Sequence, residues 1–416
     1  MSAVFEVALI GALSGALAYT LFWTAYVLFM PLLALSLGNR GAVASRSDSE
    51  HKTPFVVVIV PAHNMGGVIT RCVSAIYASE FSQTALAVYV VADHCQDDTA
   101  ARASAAGARV LVREEGPPGK TYTIAWTLEA LAAHGVEGDL YVVTDATARI
   151  APGFLACMAE RWRRGEDIVV GHSVVDMDNQ QWFAQCLGLT LVHRNLQNAT
   201  RERLHLSALI EGRGMAYSHH YVRRHGWALA LPTNRAAGTH PTEDWRHGVR
   251  VVEHGYRVSF ADEARVVTPL RETLSAATRQ GVRWERGRMA NAGTHALTLL
   301  RRAIARRDRL MVFAALAGIQ PPVAILAAIS VGLALAGAFV LDWQPTLAAA
   351  SVVPVSLILI YGMMVVLRGR RDGIRARMVL WAPIYVAWRC YAFAVAAIQG
   401  LHDRAAPASG PGARKC

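Results

Sequence analysis

Hydrophobic residues along the chain fall into two regimes. Val7 to Met30, Pro322 to Leu341, Leu347 to Leu367 and Met378 to Gln399 are long, almost unbroken apolar tracts. Each approaches the roughly 20 apolar residues that carry a helix across a bilayer. Between them, from Gly38 to Asp308, polar and apolar positions mix as in a soluble domain. There, short β-branched runs alternate with helical spacing. Phe55 to Val60 reads as a strand buried on both faces, because such strands are continuous apolar runs. Val68, Cys72 and Ile76 then recur at the helical period over Gly67 to Ala78. The cycle repeats: strand Ala87 to Ala92, helix Thr99 to Ala106, strand Val110 to Arg113, helix Thr121 to His134, a strand from Leu140 ending on Asp145, and another from Asp167 to Val174. Strands alternating with helices of this length predict parallel βαβ units.

In such a sheet the loops PAHN (61–64), DHCQDD (93–98), PPGK (117–120) and DAT (145–147) share one edge. Open α/β sheets bind ligands beyond the carboxyl ends of their strands. Asp145, on the central strand, is therefore the first candidate for chemistry. Asp also starts turns, and Pro152-Gly153 follow closely, so a plain turn is the alternative.

Charge settles orientation more than function. Basic residues exceed acidic ones by 42 to 31, a net charge of +11. The arginines gather beside the apolar tracts, at Arg301, Arg302, Arg306, Arg307 and Arg309 and in the loop 368–377, which holds five. Anionic lipid headgroups are the simpler partner, and no nucleic-acid signature is present. Glu6 precedes the first tract while Arg40 and Arg46 follow it, so by the positive-inside rule the central domain faces the cytosol. Met1 to Glu6 has no basic residue and the first tract outruns a signal-peptide core, which predicts a permanent helix. Six scattered cysteines without metal-ligand spacing read as reduced cytosolic thiols. An integral protein of the cytoplasmic (inner) membrane is expected.

Several stretches offer chemistry. GPPGKT lacks the first glycine of a phosphate-binding P-loop, where Glu114 stands, yet Lys120 can reach a phosphate from this edge or simply start a helix in water. Asp176 and Asp178 form an Asp-x-Asp pair, but Asp178 or Asn179 equally suits a helix cap. EGRGMAYS (211–218) has glycines, Gly212 and Gly214, where backbone passes close to something or merely turns. Histidines from 193 to 254 show no zinc-binding spacing and read as structural or surface residues. THPTEDW (239–245) places Glu243 and Asp244 at a helix start with Thr242 as cap, and ATRQGVRWERGR (277–288) is densely basic and aromatic. An acid that takes a proton from a hydroxyl and an arginine that holds a departing diphosphate are what sugar transfer requires.

Taken in order, these loops resemble the membrane-bound members of the inverting family 2 glycosyltransferases, with the GT-A fold, from PAHN through QGVRW to the apolar helices. The resemblance implies an α/β, Rossmann-like, mostly parallel sheet domain inserted between transmembrane helices. It implies donor contacts from Pro61, His63, Asn64, Asp93, Lys120, Asp145, Gln280, Arg283 and Trp284, with Asp93 at the nucleobase and ribose and Asp98 a lesser candidate. Asp244 becomes the general base, and Gly212, Gly214, Glu243 and Trp284 line the acceptor pocket. Asp145 matches the first acid of the family's metal motif, implying Mg²⁺ or Mn²⁺.

Two positions depart from the pattern. Met65 stands where an acid usually follows PAHN, and Thr147 replaces the second acid of Asp-x-Asp. A hard cation can use one carboxylate, waters and substrate phosphates; a metal-independent enzyme using Arg283 and Lys120 is the alternative. The expected organisation is an N-terminal transmembrane helix over 1–38, a cytosolic GT-A domain over 39–308, an interfacial amphipathic helix over 309–321, transmembrane helices over 322–400 and a disordered tail over 401–416. Arg389, mid-tract, leaves the last helix either crossing or lying in the interface. The expected activity is inverting transfer of a sugar from a nucleotide-sugar to a lipid or lipid-linked glycan acceptor; a polysaccharide synthase, or a catalytically impaired donor-binding scaffold, are the alternatives.

Overall fold

A computed structural model of the chain describes residues 3–37, 53–176, 182–232, 243–269, 273–291 and 296–405. After helix α1 (Ala3–Ser36), the Val/Ile-rich run becomes strand β1 (Val56–Ala62), and α2 (Ile69–Tyr77), β2 (Leu86–Asp93), α3 (Thr99–Ala105), β3 (Arg109–Arg113), α4 (Lys120–Ala133) and β4 (Leu140–Val143) follow. These βα units match the sequence reading to within two residues at nearly every boundary. β3, β2, β1 and β4 lie side by side and are all parallel. The pleat of β1 sends Val56, Val58 and Val60 to one face, against Ile69, Val73 and Ile76 of α2. Val57 and Ile59 go to the other, against Ile124, Leu128 and Leu131 of α4. Full burial of each such side chain contributes about 1.5–3 kcal/mol, so both faces hold the parallel half rigid.

The other half is mixed. β5 (Arg149–Ile150), α5 (Phe154–Arg163), β6 (Ile168–Val175), α6 (Trp182–Arg203), β7 (Met215–Ser218), α7 (His219–His225), α8 (Glu243–Glu253) and β8 (Val258–Thr268) complete an eight-stranded sheet of order β3-β2-β1-β4-β7-β6-β8-β5. β7 runs antiparallel to both β4 and β6, while β6 and β8 are parallel with a register shift between Gly171 and His172. The strand expected over 167–174 is therefore present but does not pair with β4; β7, from the stretch 211–218 whose glycines were read as a close backbone approach or a turn, fills the gap.

α9 (Leu274–Asn291), α10 (Leu297–Arg306), α11 (Arg309–Ile319), α12 (Val323–Phe339), α13 (Pro345–Gly369) and α14 (Ala382–Ala405) close the chain. Three stretches, Glu6–Ser36, Pro345–Asp372 and Ala376–Leu401, are long and apolar enough to cross a membrane. The pair α11 and α12, bent by 65° around Pro321 and Pro322, makes a fourth if its halves act together. Trp23, Val27 and Leu28 of α1 pack with Val192 of α6 and with Ile358 and Tyr361 of α13, while Phe22, Phe29, Leu335, Phe339, Leu359 and Leu380 point outward. Exposed apolar area on this scale marks a membrane or partner surface. α11 buries Met311 and Ala315 against Val249 and Val252 of α8 and Leu299 and Ala303 of α10, so it is docked on the sheet domain. Arg389 of α14 is buried and ion-paired with buried Glu285 of α9. The charge is thereby neutralised inside the fold.

Candidate active site

The loops beyond β1 and β2 are knitted together before any substrate is considered. Asn64 and His94 turn the chain at the two strand tips with φ of 52° and 50°, a left-handed conformation in which Asn and His are enriched. His63 Nδ1 lies 2.7 Å from the Asp93 carbonyl, Gln96 N–H donates to Asn64 Oδ1 at 2.8 Å, and Gly66 N–H donates to Asp97 Oδ2 at 2.9 Å. Asp98 instead pairs with Arg102 on an exposed turn of α3. Asp93 itself is buried. Its Oδ1 meets Arg113 and His94, and its Oδ2 accepts from Thr123 at 2.8 Å and from Gly119 N–H at 3.2 Å. Burial would raise its pKa, but the bonds from Thr123, His94, Gly119 and Arg113 override this and hold it below the usual range. A carboxylate has about four acceptor positions, and all are used. Asp93 thus anchors the GPPGK loop, while His63 and Asn64 stand exposed at the tip of β1, with Asn64 Nδ2 3.4 Å from His63 Nε2.

That anchoring positions Lys120. Gly119, at φ 125°, opens α4, and the next side chain reaches back over the sheet edge. Its Nζ is ion-paired with Asp145 Oδ1 and donates to the carbonyl of Gly212. Asp145 lies two residues beyond β4 and accepts from Ala148 N–H at 2.9 Å, so it is both strand tip and turn start. Gly212 and Gly214 have φ of 76° and 57°. A Cβ at Gly212 would fall 2.5 Å from an Asp244 carboxylate oxygen, and one at Gly214 would lie 3.1 Å from Phe154 and Val266. Both glycines are therefore required, one by the approach of Asp244 and one by the packing below. Between them Arg213 brings its Nε to 4.0 Å from Asp145 Oδ2 and donates to Thr268 Oγ1 at 3.0 Å.

Asp244, in the first turn of α8 beside Glu243, completes the group. Burial raises its pKa from 3.8 to about 6 against the opposing pull of Lys120, with Glu243 and Asp145 adding to the rise. Burial depresses the Lys120 ammonium, yet Asp145 and Asp244 outweigh it and the net shift is upward. The result is a cation held on Asp145 beside a carboxyl poised to exchange a proton. A small cavity beneath is lined by Lys120, Met215, Trp227, Asp244 and His247. His247 meets Tyr221 Oη at 3.1 Å and is pushed by burial to about 3, so it stays neutral and structural, as read from sequence.

The basic-aromatic motif lies on α9. α9 packs on α14 through Glu285 with Arg389 and through a Trp388 Nε1–Thr278 Oγ1 bond of 2.9 Å. Trp284 carries the Arg194 guanidinium at 5.6 Å from its ring centre, and Arg283 is exposed. Among the described contacts none joins Gln280, Arg283 or Trp284 to Lys120, Asp145 or Asp244. The second cation at Asp145 is Arg213, which sequence reasoning passed over because a lone arginine between glycines reads as a turn. Asp178, Asn179 and Thr242 lie outside the described residues, while Asp176 pairs with Arg149.

The match to known proteins is made over this same stretch. Residues 53–287, more than half of the 416, match the family described as "Glycosyltransferase like family 2". The chain belongs to that family. A family 2 domain makes it a transferase of the glycosyl class. In fold it is similar to the mannosyltransferase PcManGT from Pyrobaculum calidifontis, solved with GDP-Man and Mn²⁺, with a TM-score of 0.52 and 16% identity over 94% of this chain and 99% of that one. Glucosyl-3-phosphoglycerate synthase from Mycobacterium tuberculosis, solved with Mn²⁺, UDP and phosphoglyceric acid, gives a TM-score of 0.40 and 20% identity over 58% of this chain and 79% of its own. No curated protein matches the chain.

The divalent ion that the family pattern implies finds a poor donor set. Thr147 supplies no charge, and the remaining acid of the Asp-x-Asp motif, Asp145, already faces Lys120 and Arg213. No group of three His, Cys, Asp or Glu side chains suited to a metal occurs among the described residues. These residues do not fit a protein-held divalent ion.

Proposed function

We propose that this family 2 glycosyltransferase moves a sugar from a nucleotide-sugar to a membrane-embedded hydroxyl acceptor with inversion at the anomeric carbon. The observation that carries the reading is the convergence of Lys120, Asp145, Gly212 and Asp244, from four separate segments, on one sheet edge. Asp244 takes the acceptor proton as the hydroxyl oxygen attacks the anomeric carbon from the face opposite the nucleotide. The bond from that carbon to the diphosphate oxygen breaks, and its electron pair leaves with the nucleoside diphosphate, held by cations at the strand tips. A base poised near its working pH typically supplies about 10²- to 10⁴-fold in rate. His63 and Asn64, exposed at the tip of β1, are the groups we assign to the nucleoside.

Apolar helices on both flanks of the domain support the membrane part of the proposal. α11 ties the α8 helix that bears Asp244 to the apolar helices that follow, which puts the base on the side of the domain joined to the membrane segments of this proposal. The proposed organisation keeps residues 39–308 as the cytosolic catalytic unit and 1–38 and 322–400 as membrane segments, with 309–321 as a docked helix between them. The purified full-length protein in lipid nanodiscs, offered a panel of nucleotide-sugars, is expected to release nucleoside diphosphate and leave labelled sugar in the lipid-extractable fraction. Label only in long water-soluble polymer would point to polysaccharide synthesis instead, and release from no donor would overturn the assignment.

A further inference from the structure

We infer that Arg213, together with Lys120, takes the place of the divalent ion in neutralising the departing diphosphate, so that transfer by this chain needs no metal; this rests on the nucleotide-sugar reading above. Three observations point the same way. First, the position of the second metal acid holds Thr147, and the surviving acid is faced by a cation on each oxygen, Lys120 at Oδ1 and Arg213 at Oδ2. Second, formal charge balances. Two carboxylates, a divalent ion and a lysine carry one net positive charge, and so do Asp145, Lys120 and Arg213 with a neutral threonine. Third, Arg213 is built in. Its guanidinium is mostly buried and tethered to Thr268 on β8, and the left-handed glycines on either side leave the backbone one course between Asp244 and Phe154. A surface arginine needs no such framing.

The arrangement suits an arginine in particular. Its planar fork presents several donors to phosphate oxygens and stays charged at any working pH, whereas the lysine beside it is a point charge. As the anomeric carbon–oxygen bond breaks, negative charge grows on the diphosphate. Preorganised donors aimed at developing charge stabilise a transition state more than a ground state. Asp145 then acts as the tether that holds both cations in place before the donor arrives.

The test uses the full-length protein in nanodiscs, measuring UDP and GDP binding by calorimetry and nucleoside diphosphate release from their sugar donors, with EDTA or with Mn²⁺. Binding and release within twofold of each other in the two conditions is the expected result. Arg213→Met is expected to lose about tenfold to a hundredfold in kcat/KM, the range for a charge-assisted hydrogen bond, and Arg213→Lys to recover part of it. Thr147→Asp combined with Arg213→Met is expected to regain release only when Mn²⁺ is present. Binding and turnover that vanish in EDTA and return with Mn²⁺ overturn the inference while leaving the transferase reading intact. So does an Arg213→Met protein that unfolds at the parent temperature and turns over within twofold. Absence of nucleotide binding and release in every condition sinks both.

Discussion

Replacing Asp244 by Asn separates stability from activity in opposite directions. Burial lifts the folded-state pKa of Asp244 from 3.8 to about 6, a difference of about two units. Each unit corresponds to ~1.4 kcal/mol. Below about pH 3 the acid is protonated whether the chain is folded or not, and its burial costs little. As pH rises through 4 to 6 the unfolded chain ionises first, stability falls, and above pH 6 the full penalty of ~3 kcal/mol applies. An uncharged isostere escapes it. Asp244→Asn is therefore expected to unfold a few degrees higher than the parent at pH 8, about half as much higher at pH 5, and to lose transfer by about 10²-fold or more. Thermal unfolding at both pH values, paired with nucleoside diphosphate release, reads the two effects together. The parent kcat/KM should rise through about pH 6 and level off, because the base works only when ionised. A variant that is less stable than the parent at pH 8, or that transfers sugar at the parent rate, refutes the reasoning.

Asp93→Asn should destabilise by ~3–5 kcal/mol, because buried Arg113 loses its counter-ion; thermal unfolding measures it, and an unchanged transition would show that Asp93 is not the anchor of the GPPGK loop. Gly212→Ala places a Cβ at a φ of 76° against the Asp244 carboxylate; transfer should fall about 10²-fold through misplacement of the base, with nucleotide affinity changed less than turnover. Buried Glu285 holds both Arg389 and Arg288, so Glu285→Gln should cost ~3–5 kcal/mol and Arg389→Met, which leaves Glu285 its Arg288 partner, less; thermal unfolding of the two proteins in one detergent compares them, and an equal or larger loss for Arg389→Met would count against the shared network.

What could be read from the chain, and what could not, follows from the range of the interactions involved. β1, β2 and β4 are continuous apolar runs buried on both faces, so local composition announces them, and the helices between them imply parallel pairing. β7 and β8 carry no such signature. Met215–Ser218 is four residues beside two glycines, and β8 bears Asp262, Glu263 and Arg265 opposite a register shift in β6, so only their neighbours make them strands. The site divides along the same line. Lys120, Asp145 and Asp244 sit at strand tips or a helix start, where position in the local motif already implies exposure to a shared edge. Arg213 meets Asp145 across 68 positions of sequence through the left-handed turn of two glycines, a geometry that spacing does not encode. Arg283 shows packing at work on a motif: a dense basic stretch suggests a diphosphate contact, and the buried pairing of Glu285 with Arg389 of α14 fixes which face of α9 packs and leaves Arg283 exposed, open to a ligand. Where a side chain's role depends on which partner wins it, the sequence names the candidates and packing chooses among them.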